Sequence, residues 1–191
     1  MVINFELLET DRLLLKGLSP ADMACIFENF DNPAIKTMLG HRSEESYLKE
    51  EFKYKNGYAS YNRSFKLFLL TDKASGSIIG RCGLHNWNID HRRAEIGYLM
   101  EDEDFKRKGL MTEAVDAIID FGFNKLHLNR IEALVGAGNV PSLRLMEKFH
   151  FVKEGVLQQH YFTGDKFEDS VLFARLSYPQ LSSWDEVPPT F

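Results

Sequence analysis

The most informative part of the sequence is residues 94–114, AEIGYLMEDEDFKRKGLMTEA. Its first seven residues alternate between apolar side chains and other residue types, which is the two-residue period of a β-strand. After Gly109 the apolar residues recur three and four positions apart, and this period predicts an amphipathic helix. The segment is therefore predicted to form a strand, a strongly charged turn and the start of a helix.

The turn between these two elements is suited to an anion. Gly109 lets the backbone approach a ligand closely, and the basic run 106–108 stands directly before it. The first backbone N–H groups of the helix, at residues 110–112, have no partners within the helix and carry the positive end of its dipole. We therefore predict that this corner binds a phosphate group. The alternative is a solvated basic turn that only caps the helix.

Residues 106–111 resemble the pyrophosphate loop of the GCN5-related N-acetyltransferases (GNAT), whose pattern is Gln/Arg-x-x-Gly-x-Gly/Ala before a helix. The sequence Gly-Leu-Met-Thr-Glu-Ala at 109–114 is similar to the branch that acetylates ribosomal protein N-termini, and residues 10–15 match the opening of that branch. Lys106 and Met111 depart from the family pattern, but the family's loop binds mainly through main-chain N–H groups. The resemblance covers roughly residues 8–176 and implies acetyl-CoA (coenzyme A) as the cofactor.

A second family signature lies at residues 138–151, where the family has Asn-x-x-Ser and then a helix that ends in Glu-Lys-x-Gly-Phe. Asn139 and Ser142 match it. The resemblance implies that Asn139 hydrogen-bonds the pantetheine arm and that Ser142 donates a proton to the thiolate of coenzyme A. The alternative for both residues is helix capping. Since His150 replaces the family's glycine, we expect the helix to end without the usual left-handed residue.

Glu95 is the predicted general base for deprotonating an amine. It lies on the strand that leads to the loop, on the face opposite the apolar residues. Partial burial there would raise the pKa of its carboxyl group toward a range useful for catalysis. The alternative is a structural ion pair with Arg92 or Arg93.

The resemblance also implies that the strand itself contacts the cofactor. A backbone N–H near Leu99 and Met100 would meet the oxyanion, where the family's strand separates from the fifth strand. Neighbouring backbone groups would pair with the pantetheine amides like an added strand. The complete predicted cofactor-binding set is Leu99, Met100, Lys106, Arg107, Lys108, Gly109, Leu110, Met111, Thr112, Asn139 and Ser142.

The remaining periodicity predicts an α+β fold in which helices flank a mixed, mostly antiparallel sheet of about seven strands. Strands are predicted at 11–16, 65–70, 78–84, 94–100, 131–135, 151–157 and 170–176. Helices are predicted to begin after the caps Ser19 and Ser43, after Gly109, and at Pro141. This arrangement agrees with the GNAT architecture. We expect one acetyltransferase domain at residues 1–178 and a loosely held C-terminal tail at 179–191.

The segment at residues 43–64 is the region that, by resemblance, covers the acceptor site. The predicted packing residues of its helix are Tyr47, Leu48, Phe52 and Tyr54. Aromatic residues between 47 and 61 either line an acceptor pocket or belong to the core. The segment contains no motif that identifies the acceptor.

Composition excludes several classes of function. The chain has 191 residues and a formal net charge of −5, which does not favour nucleic acid as a partner. A basic N-terminal region followed by a long apolar run is missing, and so is a run of about 20 apolar residues, so we expect a cytoplasmic protein that does not bind membranes. Cys25 and Cys82 are predicted to be buried thiols, and neither the cysteines nor the histidines have the spacing of a metal site.

The sequence therefore predicts an N-acetyltransferase that uses acetyl-CoA and transfers the acetyl group directly to a primary amine, without an acyl-enzyme. The preferred acceptor is a protein N-terminus of the ribosomal-protein type. One alternative is a small amine, such as an amino acid, a polyamine or an antibiotic. Another is a non-catalytic acyl-CoA-binding module. A homodimer and a monomer both stay open.

Overall fold

The computed structural model describes residues 5–57 and 63–177. Within these ranges, eight strands form one sheet in the order β1-β2-β3-β4-β5-β6-β8-β7, and five α-helices flank it. The strands are β1 (Glu6–Glu9), β2 (Leu13–Leu18), β3 (Ser64–Asp72), β4 (Ile78–Asn88), β5 (Arg93–Met100), β6 (Arg130–Gly136), β7 (Val152–Thr163) and β8 (Lys166–Leu176). The helices are α1 (Pro20–Asn29), α2 (Asn32–Leu39), α3 (Glu44–Asn56), α4 (Leu110–Asp120) and α5 (Val140–Lys148). This is the predicted α+β class.

The sheet separates two apolar clusters. The larger one lies on the face covered by α4 and α5, and it includes Phe68, Ile96, Val115 and Met146. The smaller one lies where α1, α2 and α3 pack against β2 and β3, around Tyr47. Neighbouring strands run antiparallel except β5 and β6, which run parallel. No helix among the described residues is long and apolar enough to cross a membrane.

The predicted helix starts are confirmed, and each has a local chemical cause. Ser19 and Asp22 form a reciprocal capping box before α1, with Pro20 in the first turn. The Ser43 side chain accepts from the Ser46 N–H at the start of α3. Gly109, in the left-handed region at φ 77°, begins α4 without a side-chain cap.

The sheet has one strand more than the seven predicted, and α2 was not predicted. Strand β1 pairs with β2 through Glu6–Glu9, a segment too short and too exposed for its sequence to show alternation. Helix α2 has eight residues, of which Ile35 and Leu39 are buried. Two buried positions in so short a helix do not show a clear apolar period in the sequence. Strand β7 is continuous to Thr163, beyond the predicted end at 157, because it pairs with β8 along the hairpin.

Several predicted packing residues are placed differently in the structure. Tyr47 is buried and therefore belongs to the core, and Tyr54 stacks on Phe27 with ring centroids 4.6 Å apart. Leu48 and Phe52 are 50% and 67% exposed, so their predicted packing role is wrong. Of the two cysteines, Cys82 is buried and Cys25 only partly so. The aromatic residues at 58 and 61 and the predicted tail at 179–191 lie outside the described residues.

The end of α5 corrects the expectation for His150. This residue adopts the left-handed conformation at φ 56°. The N–H of Phe151 then donates to the Met146 carbonyl (3.0 Å), and the N–H of His150 donates to the Glu147 carbonyl (3.0 Å). These two bonds form a Schellman motif, so histidine takes the role that glycine has in the family pattern.

Candidate active site

The candidate site lies where β5 and β6 separate. The two strands pair only as far as Glu95 opposite Glu132, although β5 continues to Met100 and β6 to Gly136. A cavity of about 240 Å³ occupies the gap. Its walls include His85, Glu95, Gly97, Tyr98, Asn139 and Ser142. Gly97 and Tyr98, whose Cα–Cβ directions belong to opposite faces of β5, both border this gap in the sheet.

Backbone groups of β5 face this gap. The N–H of Glu101 donates to the Ile79 carbonyl on the β4 side (3.0 Å). Since these groups alternate in direction along a strand, the main-chain groups of Leu99 also face β4, whereas those of Met100 face the gap. Of the two predicted strand contacts, Met100 therefore has the suitable geometry, and Leu99 offers only its side chain.

The predicted phosphate corner has free helix amides. No side chain caps the start of α4, so the N–H groups of residues 110–112 are not occupied by a cap. Arg107 is also left-handed, at φ 62°, which bends the chain sharply before Gly109. Lys106 forms an ion pair with Glu103, and the Lys108 ammonium lies 5.3 Å from the centre of the Phe105 ring. The three basic residues thus remain at the surface beside the helix end.

The loop is attached to the residue before the second strand by a contact between positions 96 residues apart in sequence. The Arg12 guanidinium donates to the Lys108 carbonyl (2.9 Å) and pairs with Glu113 of α4 (2.7 Å). Glu113 also accepts from the hydroxyl of Thr10. Burial acts to raise the pKa of Glu113, but the hydrogen bonds from Thr10 and Arg12 outweigh it and lower the pKa. The two segments that resemble the ribosomal branch are therefore in direct contact.

The start of α5 carries the second predicted pair of residues. The Asn139 side chain accepts from the Ser142 N–H (3.3 Å), so Asn139 is a helix cap, as the alternative interpretation held. Both residues also line the cavity. The cap uses only the backbone of Ser142, and its hydroxyl is therefore available for other contacts.

Tyr98 brings a further hydroxyl group to the cavity. Its oxygen is buried and has no hydrogen-bond partner among the described residues. Burial raises the pKa of the Tyr98 phenol, and hydrogen bonding with the nearby Ser142 side chain, whose geometry is too poor for a well-formed bond, opposes part of that rise. A buried hydroxyl without a partner costs about 1–3 kcal/mol, so such a group needs a compensating role.

Glu95 is buried beside two side chains from β4. Its Oε2 accepts from Asn86 Nδ2 (2.9 Å), and its Oε1 lies 3.2 Å from His85 Nε2. Burial acts to raise the pKa of Glu95, but His85 and Asn86 outweigh burial and lower it, so the predicted rise is wrong.

The alternative interpretation of Glu95 as an arginine partner is also wrong. Arg92 donates to the His127 carbonyl (2.7 Å), and Arg93 pairs with Glu132 (3.1 Å). The carboxylate of Glu95 is therefore directed toward the cavity residues of β4, and not toward the turn that precedes β5.

A second cavity, of about 430 Å³, lies on the α3 face of the sheet. It shares His85, Gly97 and Tyr98 with the first cavity, so the two spaces adjoin. Its other walls include Glu50, Lys53, Phe65, Lys66, Leu67, Arg81 and Leu99. Each cation in the wall has an acidic partner: Lys53 with Glu50 (3.3 Å), Lys66 with Glu6 (2.7 Å) and Arg81 with Glu101 (2.7 Å).

Sequence reasoning missed two residues that the structure brings to this site. The sequence shows His85 only as one of the histidines without metal-site spacing, and Tyr98 only as an apolar strand residue. His85 lies directly opposite Glu95 in the β4–β5 register, and this pairing was the signal available. In an antiparallel pair, opposite residues share a face and lie close together.

Comparison with known proteins gives the family. A family model described as an acetyltransferase (GNAT) domain matches residues 12–152. The chain belongs to the GNAT acetyltransferase family. The uncharacterized N-acetyltransferase YoaA of Bacillus subtilis is 34% identical over 169 residues, which cover 87% of this chain and 95% of that protein. The predicted family, enzyme class and fold are therefore confirmed.

Other GNAT relatives differ in what their names say of the acceptor. The spermidine N(1)-acetyltransferase of Vibrio cholerae is 26% identical and covers 83% of this chain and 89% of its own. The ribosomal-protein-S5-alanine acetyltransferase structure from Vibrio fischeri has a TM-score of 0.63 at 22% identity, with 90% of this chain and 97% of that chain covered. The second likeness shows the shared fold.

Proposed function

We propose that this GNAT enzyme transfers the acetyl group of acetyl-CoA directly to a protein N-terminal amine. The observation that carries the proposal is a passage formed by two adjoining cavities, one in the gap between β5 and β6 and one on the α3 face. The first cavity is lined by Asn139 and Ser142, and it shares His85, Gly97 and Tyr98 with the second. Two substrates can therefore approach the same point from opposite sides, which direct transfer requires.

The residues along the passage fit acetyl-CoA. The uncapped amides of Leu110, Met111 and Thr112, beside Gly109 and the run 106–108, would hold the diphosphate. The gap-facing backbone of Met100 would pair with the pantetheine arm, and Asn139 and Ser142 line its path. When bound, acetyl-CoA supplies an activated acetyl group. Its proposed site extends from the uncapped helix end to the cavity beside the Tyr98 hydroxyl, and both features can donate hydrogen bonds to a ligand of this polarity.

Two groups on opposite sides of the passage would take part in proton transfer. Ser142 is the proposed donor to the departing thiolate, with the Tyr98 hydroxyl beside it. Glu95 supplies the negative charge on the proton-accepting side, because its lowered pKa keeps it ionised at neutral pH. In the balanced reaction the ammonium nitrogen loses two protons and gains a bond to the acetyl carbon while the carbon–sulfur bond breaks. One proton ends on the thiolate and the other leaves to solvent.

The pKa of the acceptor amine and the charged side chains of the larger cavity both favour an N-terminal α-amine. An α-amino group, with an ordinary pKa of about 7.7–8.0, is deprotonated by a weaker base than a lysine-type amine at about 10.4 needs. In the wall of the larger cavity, Lys53, Lys66 and Arg81 are each paired with an acidic side chain, and the carboxylate Glu50 is itself paired with Lys53. A polyamine needs carboxylates to balance its charges, so this wall favours an N-terminal α-amine with an uncharged side chain.

The test is coenzyme A release with two panels of acceptors at equal concentration. One panel contains peptides with free N-termini, with N-terminally blocked peptides as controls, and the other contains spermidine, free amino acids and aminoglycosides. We expect release with the free N-termini only. Release with the small amines alone would mean that the enzyme acetylates a small amine instead. Binding of coenzyme A by calorimetry without release in either panel would indicate a binding module.

A further inference from the structure

His85 lies at the junction of the two cavities. It lines both of them, and its side chain is 45% exposed. The regular pairing of β4 with β5 is interrupted between His85 and Asn88, and Asn86 is left-handed at φ 48°. This irregularity directs consecutive side chains, His85 and Asn86, to the same carboxylate, which regular strand alternation would not allow.

The contact with Glu95 defines which ring nitrogen carries the proton. Nε2 lies 3.2 Å from Oε1 of Glu95, while Asn86 occupies Oε2. Two lone pairs would repel each other at that distance, so Nε2 carries the hydrogen and Nδ1 has the free lone pair. No hydrogen bond to Nδ1 occurs within the described part of the chain.

Gly97 provides the space that the ring occupies. A Cβ atom at this position would lie 2.9 Å from Cε1 and 3.1 Å from Nδ1 of His85. Any side chain there would displace the imidazole from the junction. The ring is thus held from two sides, by the carboxylate at Nε2 and by the bare backbone beneath Cε1.

We propose that His85 is the catalytic base that takes the proton from the acceptor ammonium at Nδ1, and that Glu95 is a positioning residue that holds its tautomer. The inference rests on the proposed function. In this step one N–H bond of the ammonium breaks and its electron pair stays on nitrogen as the attacking lone pair. The proton bonds to Nδ1, and the resulting imidazolium pairs with the Glu95 carboxylate until it releases the proton to solvent.

The first test reads the tautomer without using activity. Nitrogen-15 NMR of the histidine ring in the free protein, at a pH where the imidazole is neutral, is expected to show His85 protonated at Nε2. Glu95→Gln is expected to weaken that preference, because the carboxylate that requires a proton on Nε2 is gone. Protonation of His85 at Nδ1 in the wild-type protein would overturn the inference.

The second test separates base catalysis from binding. His85→Ala is expected to lower kcat/KM about 100-fold or more, with coenzyme A affinity by calorimetry within twofold, and added imidazole should restore part of the rate. His91→Ala, at an exposed turn, is the matched control and should match wild type. A His85→Ala rate within twofold of wild type, or a parallel loss of coenzyme A affinity, would overturn the inference alone. Wild-type protein that acetylates no amine would overturn the proposed function as well.

Discussion

Ser142 combines two roles that one substitution separates. Its backbone N–H serves the α5 cap, while its side chain lines the cavity. Ser142→Ala therefore leaves the cap intact and removes only the proposed proton donor. We expect turnover to fall about tenfold or more, with acetyl-CoA affinity within twofold of wild type. Steady-state kinetics and calorimetry make the measurement, and unchanged turnover would leave Ser142 with capping alone.

Asn139→Ala is the control for capping, because it removes the side chain that accepts from Ser142. We expect it to cost about 1 kcal/mol of unfolding free energy, the usual value for a lost cap. Ser142→Ala should not show that cost. Denaturant unfolding of both variants distinguishes loss of the cap from loss of the proton donor.

The Tyr98 hydroxyl is expected to support turnover while lowering the free energy of unfolding. Its hydroxyl is buried without a partner among the described residues, so Tyr98→Phe removes a polar group that folding must desolvate. We expect the unfolding free energy to stay equal or rise by up to about 1 kcal/mol, while turnover falls. Chemical denaturation and kinetics on the same preparation check both. A variant that is less stable, with unchanged turnover, would contradict this role.

At the scale of elements, the link from the turn after β5 into α4 is the proposed determinant of cofactor affinity. Gly109 is left-handed, and a Cβ there would meet only the Arg12 guanidinium, at 3.6 Å. Asn tolerates this conformation better than most residues, and Asp has nearly the same shape with a negative charge. We therefore expect Gly109→Asp to weaken coenzyme A binding at least about tenfold more than Gly109→Asn, because the charge opposes a diphosphate at the positive helix end.

Calorimetry measures the difference in coenzyme A affinity between the two Gly109 variants, and the same substitutions at Gly164 serve as controls. Gly164 is left-handed at φ 66° in the β7–β8 turn and has no atoms within 4 Å of a Cβ. Gly164→Asp and Gly164→Asn should therefore bind coenzyme A as wild type does. Equal affinity of the two Gly109 variants would exclude a diphosphate at this corner.

Elements with a local chemical signal could be predicted from the sequence, and elements without one could not. The capping residues Ser19 and Ser43 and the glycine before α4 defined three helix starts. Strand β1 and the extended part of β7 exist through pairing with β2 and β8, and both are largely exposed, so their side chains show no burial pattern. Pairing between distant segments is a property of the sheet and is weakly encoded in either strand alone.

At the scale of the whole molecule, the same limit applies to the site. Family motifs predicted roles for Gly109, Asn139 and Ser142, because each motif lies within one short segment. The partners of Glu95 depend on the β4–β5 register and on an irregularity at Asn86, which no local pattern announces. The charge partners of Lys66 and Arg81, Glu6 and Glu101, come from other segments of the chain, so the charge of the proposed acceptor cavity also appears only in the assembled fold.

The pH dependence of folding should report on His41, which joins the helical layer to the sheet. Its Nδ1 lies 3.2 Å from Arg81, and its Nε2 is buried without a partner within residues 5–57 and 63–177. Burial, and then the charge of Arg81, lower the pKa of His41 to about 4. Unfolded chains bind this proton at about pH 6.5, so acid favours the unfolded state between pH 6.5 and about 4.

The contribution of neutral His41 to the free energy of unfolding should therefore be fully present above about pH 6.5 and decline as the pH falls toward 4. Uptake of one full proton on unfolding lowers the free energy of unfolding by about 1.4 kcal/mol per pH unit. Because the His41 ring is only partly buried, about half of this effect is expected. Relative to His41→Gln, which cannot titrate, wild type should lose about 1 kcal/mol of unfolding free energy between pH 7 and pH 5. Urea unfolding of both proteins at the two pH values tests this, and parallel losses would mean that His41 is already free to protonate in the folded state.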